Sequence, residues 1–220
     1  MRVCFVSRGD LQAFKAREEK VGAELTLFGF EGMGEVSYEK ELKRETAYFE
    51  EAALLSKRDK NIVVCGCVTN ICGHKRKSAV VAENGKILGV SDMQCVIDND
   101  IGCGGGMKLY DTKQGKMGVL VADDLNFPEK IRSMVDCGCE FIVCPFGRIT
   151  NELQTVLLRA YAYLFGTTIY LCGKGYCAIA DAKGKLAFFS PFSPVVAACE
   201  CEKEYHLIES RRRGFMRPSV

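Results

Sequence analysis

Hydrophobic positions along the chain fall into short apolar runs divided by turn residues and by stretches with helical spacing. The clearest pattern begins at Met117 to Val121, a continuous apolar run closed at once by Ala122-Asp123-Asp124. It predicts a buried strand whose carboxyl end opens into a polar corner. Pro128-Glu129 then opens a helix, because proline suits a first helical turn and glutamate faces the positive end of the dipole. Ile131, Met134 and Val135 form its buried stripe, Gly138 ends it as a left-handed cap, and Phe141 to Cys144 predicts the next strand before Pro145. This is a β-α-β unit.

The flanking sequence repeats such elements. Met1–Ser7 and Leu25–Phe28 predict strands, with a short helix over Leu11–Val21 that turns Leu11, Phe14 and Val21 to the core. Glu39–Lys57 predicts one long helix with Leu42, Thr46, Phe49, Ala53 and Leu54 on its apolar side. Strands are expected at Ile62–Val68 and Ser78–Ala82, separated by a loop over Asn70–Lys77. Asn84-Gly85 is a two-residue hairpin turn leading into a strand at Lys86–Val90. Met107–Tyr110 enters a hairpin that turns at Lys113–Gly115, and a helix is expected over Glu152–Leu164. The last strands are Thr168–Cys172, Tyr176–Ala180, Leu186–Phe189 and one near Val195–Glu200. Asn99–Gly106 is glycine-rich but lacks the spacing and strand-to-helix context of a phosphate loop.

Composition narrows the picture. A length of 220 residues with no compositional linker predicts a single domain over 1–220. Hydrophobic residues make up 48% and no run approaches the roughly 20 apolar residues of a membrane helix, so no membrane partner is expected. Met1–Ser7 is too short for a signal-peptide core, which points to a cytoplasmic protein. A formal net charge of +2 gives no field to draw in nucleic acid, and Arg211-Arg212-Arg213 with Arg217 reads as a solvated tail or a subunit contact.

Thirteen cysteines would suit a reducing cell; most of them, such as Cys4, Cys65, Cys144 and Cys172, sit inside apolar runs as small hydrophobes. Cys65-x-Cys67-x4-Cys72 and Cys137-x-Cys139-x4-Cys144 share a spacing that invites a metal, yet neither is a usual zinc pattern. No metal and no cofactor are expected.

The segment GVLVADDLNFPE, followed by a helix, a Cys-Gly-Cys turn and FIVCP, resembles the signature of the nitrilase or carbon-nitrogen hydrolase superfamily. In that family the strand ends in Cys-Tyr-Asp or a near variant, and the helix opens with Phe-Pro-Glu. SAVVAENGKILGV resembles the family hairpin that precedes Tyr-Arg-Lys, and RAYAYLFGTTIYLCG resembles its Arg-Ala-x-Glu-Asn helix, with Ala162 at the glutamate. CAIADAKGKLAF has the form of a late family hairpin. The resemblance implies an α/β fold, a four-layer α-β-β-α sandwich, and pairing through helical faces into a homodimer or larger homo-oligomer. It also implies chemistry on amides, nitriles or carbamoyl compounds through a Glu-Lys-Cys triad and a thioester.

This chain departs from the triad at every position. Ala122 stands at the nucleophile and Met93 at the lysine. Phe30 falls at the general base, with Glu31 one residue late, where strand alternation turns it away unless a bulge intervenes. The expectation is a non-catalytic binding or assembly protein whose small-molecule pocket is lined by Glu31, Met93, Ala122, Asp123 and Asp124. Two alternatives stay open: a hydrolase with Asp123 or Asp124 as base toward a water, and a metal or redox protein built on the thiols. Lys108 is a candidate to replace the missing lysine from a neighbouring strand. Cys95 and Cys103 are the nearest cysteines in sequence, but neither falls at a strand-to-helix elbow, where a helix dipole would lower its pKa.

Overall fold

The computed structural model describes residues 1–17, 20–95, 102–148 and 152–201, together with the backbone of 206–208 and 211–213. Its first part runs β1 (Arg2–Val6), α1 (Leu11–Lys15), β2 (Leu25–Phe28), β3 (Glu35–Ser37), α2 (Tyr38–Leu42), α3 (Tyr48–Asp59), β4 (Ile62–Ile71), β5 (His74–Glu83) and β6 (Lys86–Asp92). Then follow β7 (Leu109–Thr112), β8 (Gly115–Val119), a 3-10 turn (Ala122–Asn126), α4 (Pro128–Asp136), β9 (Phe141–Arg148) and α5 (Leu153–Phe165). The chain closes with β10 (Thr168–Lys174), β11 (Tyr176–Ala180), β12 (Leu186–Ser190), β13 (Val195–Ala198) and a short antiparallel pair, β14 (His206–Ile208) with β15 (Arg211–Arg213).

Two sheets form. One has the order β13-β1-β2-β4-β5-β6 with β3 beside β4, and the other has the order β12-β11-β10-β9-β8-β7. Because side chains alternate faces along a strand, each sheet contributes to two apolar layers. Val3, Phe5, Val64, Ala79, Val81, Val143 and Tyr170 share the layer between the sheets. Cys4, Val63, Cys65 and Val80 pack outward with Ala52 and Leu55 of α3, while Ile142, Cys144 and Leu171 pack outward with Ile131 of α4 and Leu158 of α5. Helix, sheet, sheet, helix is the four-layer sandwich the resemblance implied. Among the described residues no helix is long and apolar enough to cross a membrane.

The central β-α-β unit stands as expected, with Ile131, Met134 and Val135 the buried residues of α4 and Gly138 at φ +91°. Asn84 and Gly85 turn the β5-β6 hairpin with φ values of +53° and +80°. Elsewhere the structure differs. The long helix expected over Glu39–Lys57 is two helices, broken where Arg44 takes φ +59°. Glu41 accounts for the restart: its carboxylate accepts the Thr46 hydroxyl and the N–H groups of Tyr48 and Phe49, which have no intrahelical partner at the start of α3. The buried side of α3 is Ala52, Ala53, Leu55 and Ser56, leaving Leu54 and the α2 residue Leu42 exposed.

Helix α1 also ends earlier than expected, at Lys15. The loop expected over Asn70–Lys77 is the tip of a β4-β5 hairpin with ten residues in each strand, turned at Cys72 and Gly73 with φ values of +50° and +88°. Its strands are polar there because their ends are exposed and ion-paired, as in Lys75 with Glu35 at 2.7 Å. Arg217 and residues 99–101 of the glycine-rich stretch lie outside the described residues.

Candidate functional site

Strand β8 runs out where the Leu120 N–H makes its hydrogen bond to the Val143 carbonyl at 2.9 Å. Two residues later Ala122 takes φ +50°, a left-handed conformation that costs a residue with a Cβ roughly 1–2 kcal/mol. The backbone then coils into the 3-10 turn, with the Asp124 N–H on the Val121 carbonyl at 3.2 Å. Such strain is characteristic of corners that present a reactive side chain. Here the side chain is a methyl group.

That methyl lies on an apolar floor. Ala122 is 2% exposed and Met93 1% exposed, and both belong to the layer between the sheets, with Phe30 half-buried against the same cluster. The three positions that the resemblance assigns to nucleophile, lysine and base thus all lie in or against the apolar layer between the sheets. Two thiols share the layer, Cys172 and Cys177. Burial pushes the first well above its ordinary pKa and the second up to about 12, so neither offers a thiolate near neutral pH.

Charge gathers at the rim instead. Glu31 is exposed and pairs with Lys174 at 2.5 Å. Asp123 Oδ2 meets Lys77 Nζ at 2.5 Å, with about a quarter of each side chain accessible. Asp124 is 3% exposed and its carboxylate accepts the N–H groups of Gln94 at 3.0 Å and Cys95 at 2.8 Å. Burial raises its carboxyl pKa, the N–H donors opposing. Asp124 thus ties the segment after Met93 to the elbow, and both of its oxygens are engaged in doing so.

The residues considered as replacements fare differently. Lys108 turns outward and donates to the Val90 carbonyl at 2.7 Å. Cys95 comes to the rim, but burial and then the Asp124 carboxylate raise its thiol pKa, opposite to what activates a nucleophile. Cys103 is exposed. All thirteen cysteines are free, and among the described residues no three His, Cys, Asp or Glu side chains are grouped to hold a metal ion.

Sequence reasoning missed Lys77, having placed it in a loop. It lies directly across the β5-β6 ladder from Met93, whose N–H donates to the Lys77 carbonyl at 2.8 Å, one step beyond the Ser78–Asp92 pair. Directly opposed residues project on the same face. The described end of the glycine-rich stretch covers this edge: Gly102 donates to the Lys75 carbonyl at 3.0 Å and Gly104 to the Met93 carbonyl at 2.9 Å. A Cβ on Gly104 would fall 1.9 Å from the Asp92 Cβ, so the approach requires glycine.

No protein-family model matches the sequence, and no curated protein matches it. Solved structures do match by fold. Nit3 of Saccharomyces cerevisiae, a member of branch 10 of the nitrilase superfamily, superposes with a TM-score of 0.73 at 16% identity, over 89% of this chain and 88% of that one. An amidase from Nesterenkonia sp. gives 0.73 at 17% identity over 89% and 88%. A variant of that amidase, with acrylamide added at its active-site cysteine, gives 0.73 at 17% over 89% and 91%. The chain therefore has the nitrilase-superfamily fold, as the sequence resemblance implied.

Proposed function

We propose that this chain is a catalytically degenerate member of the nitrilase superfamily that binds a small molecule at the rim of the former active site and works as a homo-oligomer. The observation that carries this is that apolar residues hold all three positions, Met93 and Ala122 buried in the layer between the sheets and Phe30 half-buried against it. Acyl transfer through a thioester needs a sulfur nucleophile, a base to activate it and a charge to hold the developing oxyanion. An aromatic ring, a thioether and a methyl supply none of these. Triad members act as a unit, so losing all three leaves little residual chemistry.

The alternative in which Asp123 or Asp124 activates a water has poorer support. Asp124 is fully engaged by backbone N–H groups, and Asp123 is neutralised by Lys77. The metal or redox alternative gains nothing from thiols that are mostly buried in apolar layers. Self-association is supported by the exposed apolar residues Val156 and Leu164 of α5, since a solvent-facing helix surface of this kind favours a partner. Sedimentation should give a dimer or larger; a monomer at all concentrations would remove that part.

A panel of short amides and nitriles, assayed for ammonia release and for mass change of the intact chain, tests the main claim. Neither turnover nor an acyl adduct is expected. Catalytic turnover, or one acyl group per chain, would end it.

A further inference from the structure

Helix α1 stops at Lys15, and the sheet edge beyond it is left uncovered. Cys4 of β1 and Val196 of the edge strand β13 are direct partners, so both project on the face that packs against the helices. Cys4 is fully buried there, whereas Val196 is 42% exposed. Between this edge and the chain that follows α1 lies a groove of about 690 Å³, a size that suits a small molecule. Cys4, Val21, Pro194 and Val196 line it with apolar surface, and Arg17 and Lys20 add charge. A recess of about 60 Å³ adjoins it, sharing Arg17 and Pro194 and adding Val6 and Phe14. The groove opens on the helix side of the first sheet, whereas Met93 and Ala122 lie in the layer between the sheets.

The charge around this groove is of one sign. Arg17 lies over the Phe14 ring, its Cζ 5.7 Å from the centroid. The Arg2 guanidinium joins it at Gly22, where a Cβ would stand 3.7 Å from Nη1. Among the described residues no carboxylate is ion-paired with Arg2, Arg17 or Lys20. Asp10 is engaged by the Ala13 N–H at 2.6 Å, Asp59 by Arg58 and Glu24 by the Arg2 N–H. The tail after Cys201 has five Lys and Arg against three Glu, the wrong sign to fill a cationic groove.

We propose that this groove binds a small amphipathic anion, an apolar chain ended by a carboxylate. The site is separate from the rim considered above and does not depend on it. The planar fork of Arg17 matches a carboxylate, with Arg2 and Lys20 adding attraction. The apolar chain covers Val21, Pro194 and Val196, taking their exposed surface out of water. An ammonium on the same chain meets only like charge, and an alcohol leaves the guanidinium without its anion.

Calorimetric titration of the whole protein with octanoate tests this, with acetate, octylamine and octan-1-ol as controls. Octanoate should bind once per chain, about tenfold or more tighter than any control, and more weakly as salt rises. Affinity should climb severalfold from hexanoate to octanoate as more chain is buried. Arg17→Gln should weaken octanoate about tenfold. Val196→Asp, which sets a carboxylate on the lining at a solvent-exposed position, should weaken it at least as much, with circular dichroism confirming the fold of both variants.

Absence of octanoate binding, equal binding of octylamine or octan-1-ol, or affinity unchanged by Arg17→Gln or by Val196→Asp overturns the proposal. If octanoate binding is lost in Lys77→Met and kept in Arg17→Gln, the anion sits at the rim of the former active site, which overturns the groove while the function proposed above stands.

Discussion

The apolar and the charged residues around the elbow, its floor and its rim, lie within a few residues of each other on the same segments, yet they hold opposite chemistry. Met93 is 1% exposed in the layer between the sheets, while the next two residues give their N–H groups to the Asp124 carboxylate. Ala122 is 2% exposed, and its neighbour Asp123 carries half of a partly accessible ion pair. Alternation and the tight turn separate the two, because one residue along a strand or turn exchanges an interior direction for an outward one. Apolar side chains at Met93 and Ala122 make these positions part of the core between the sheets. Of the charges nearby, Glu31, Lys77 and Asp123 stand where water can still reach them, while Asp124 is buried against backbone N–H groups.

The contrast predicts very unequal costs. Met93→Lys places an ammonium in an apolar layer with no partner there, and should destabilise the chain by about 3–5 kcal/mol in urea unfolding. A loss under about 1 kcal/mol would mean that the floor is open and wet. Asp124→Ala strands two backbone N–H groups at the elbow and should cost about 2 kcal/mol by the same assay. If it is neutral, the tie between the elbow and the segment after Met93 does not matter to stability.

Lys77→Met breaks a pair that solvent partly screens and should cost only about 0.5 kcal/mol in the absence of ligand. A loss as large as that of Met93→Lys would erase the distinction between rim and floor. The smallest effect concerns pH. Burial raises the Asp124 carboxyl above its ordinary value of 3.8, so the folded chain holds that proton more tightly than the unfolded chain does. The resulting stability is fully present below the ordinary value and is lost as pH rises through the raised one. Compared with Asp124→Asn, the wild-type unfolding midpoint should therefore fall as pH rises from the acid side toward neutrality. A rising difference would mean that the N–H donors outweigh burial.

Much of the fold could be read from the sequence where the signal was local. Strand β2 runs over Leu25–Phe28 as its apolar pattern predicted, and α4 buries the stripe its spacing predicted. The break between α2 and α3 escaped because it depends on the Glu41 side chain reaching forward to cap a helix that starts seven residues on. The β4-β5 tip escaped because two exposed, paired strand ends look like a polar loop. Lys77 went unrecognised with it, since its partner is 46 residues away in sequence. The three positions had another source: the sequence resemblance pointed to them, and the sequence gives each an apolar side chain. The rim depended on long-range pairing that no local pattern records.

One experiment bears most directly on the claim that the former active site has become core. The double variant Ala122→Cys with Met93→Lys restores two of the three triad groups, and its intact mass can be followed in the presence of short amides, nitriles and an electrophilic amide analogue. With the floor closed and no base at Phe30, residue 122 should acquire no acyl or covalent adduct, and the protein should be less stable than wild type. Stoichiometric modification mapped to residue 122 would contradict the account and show that the cavity has kept its catalytic shape.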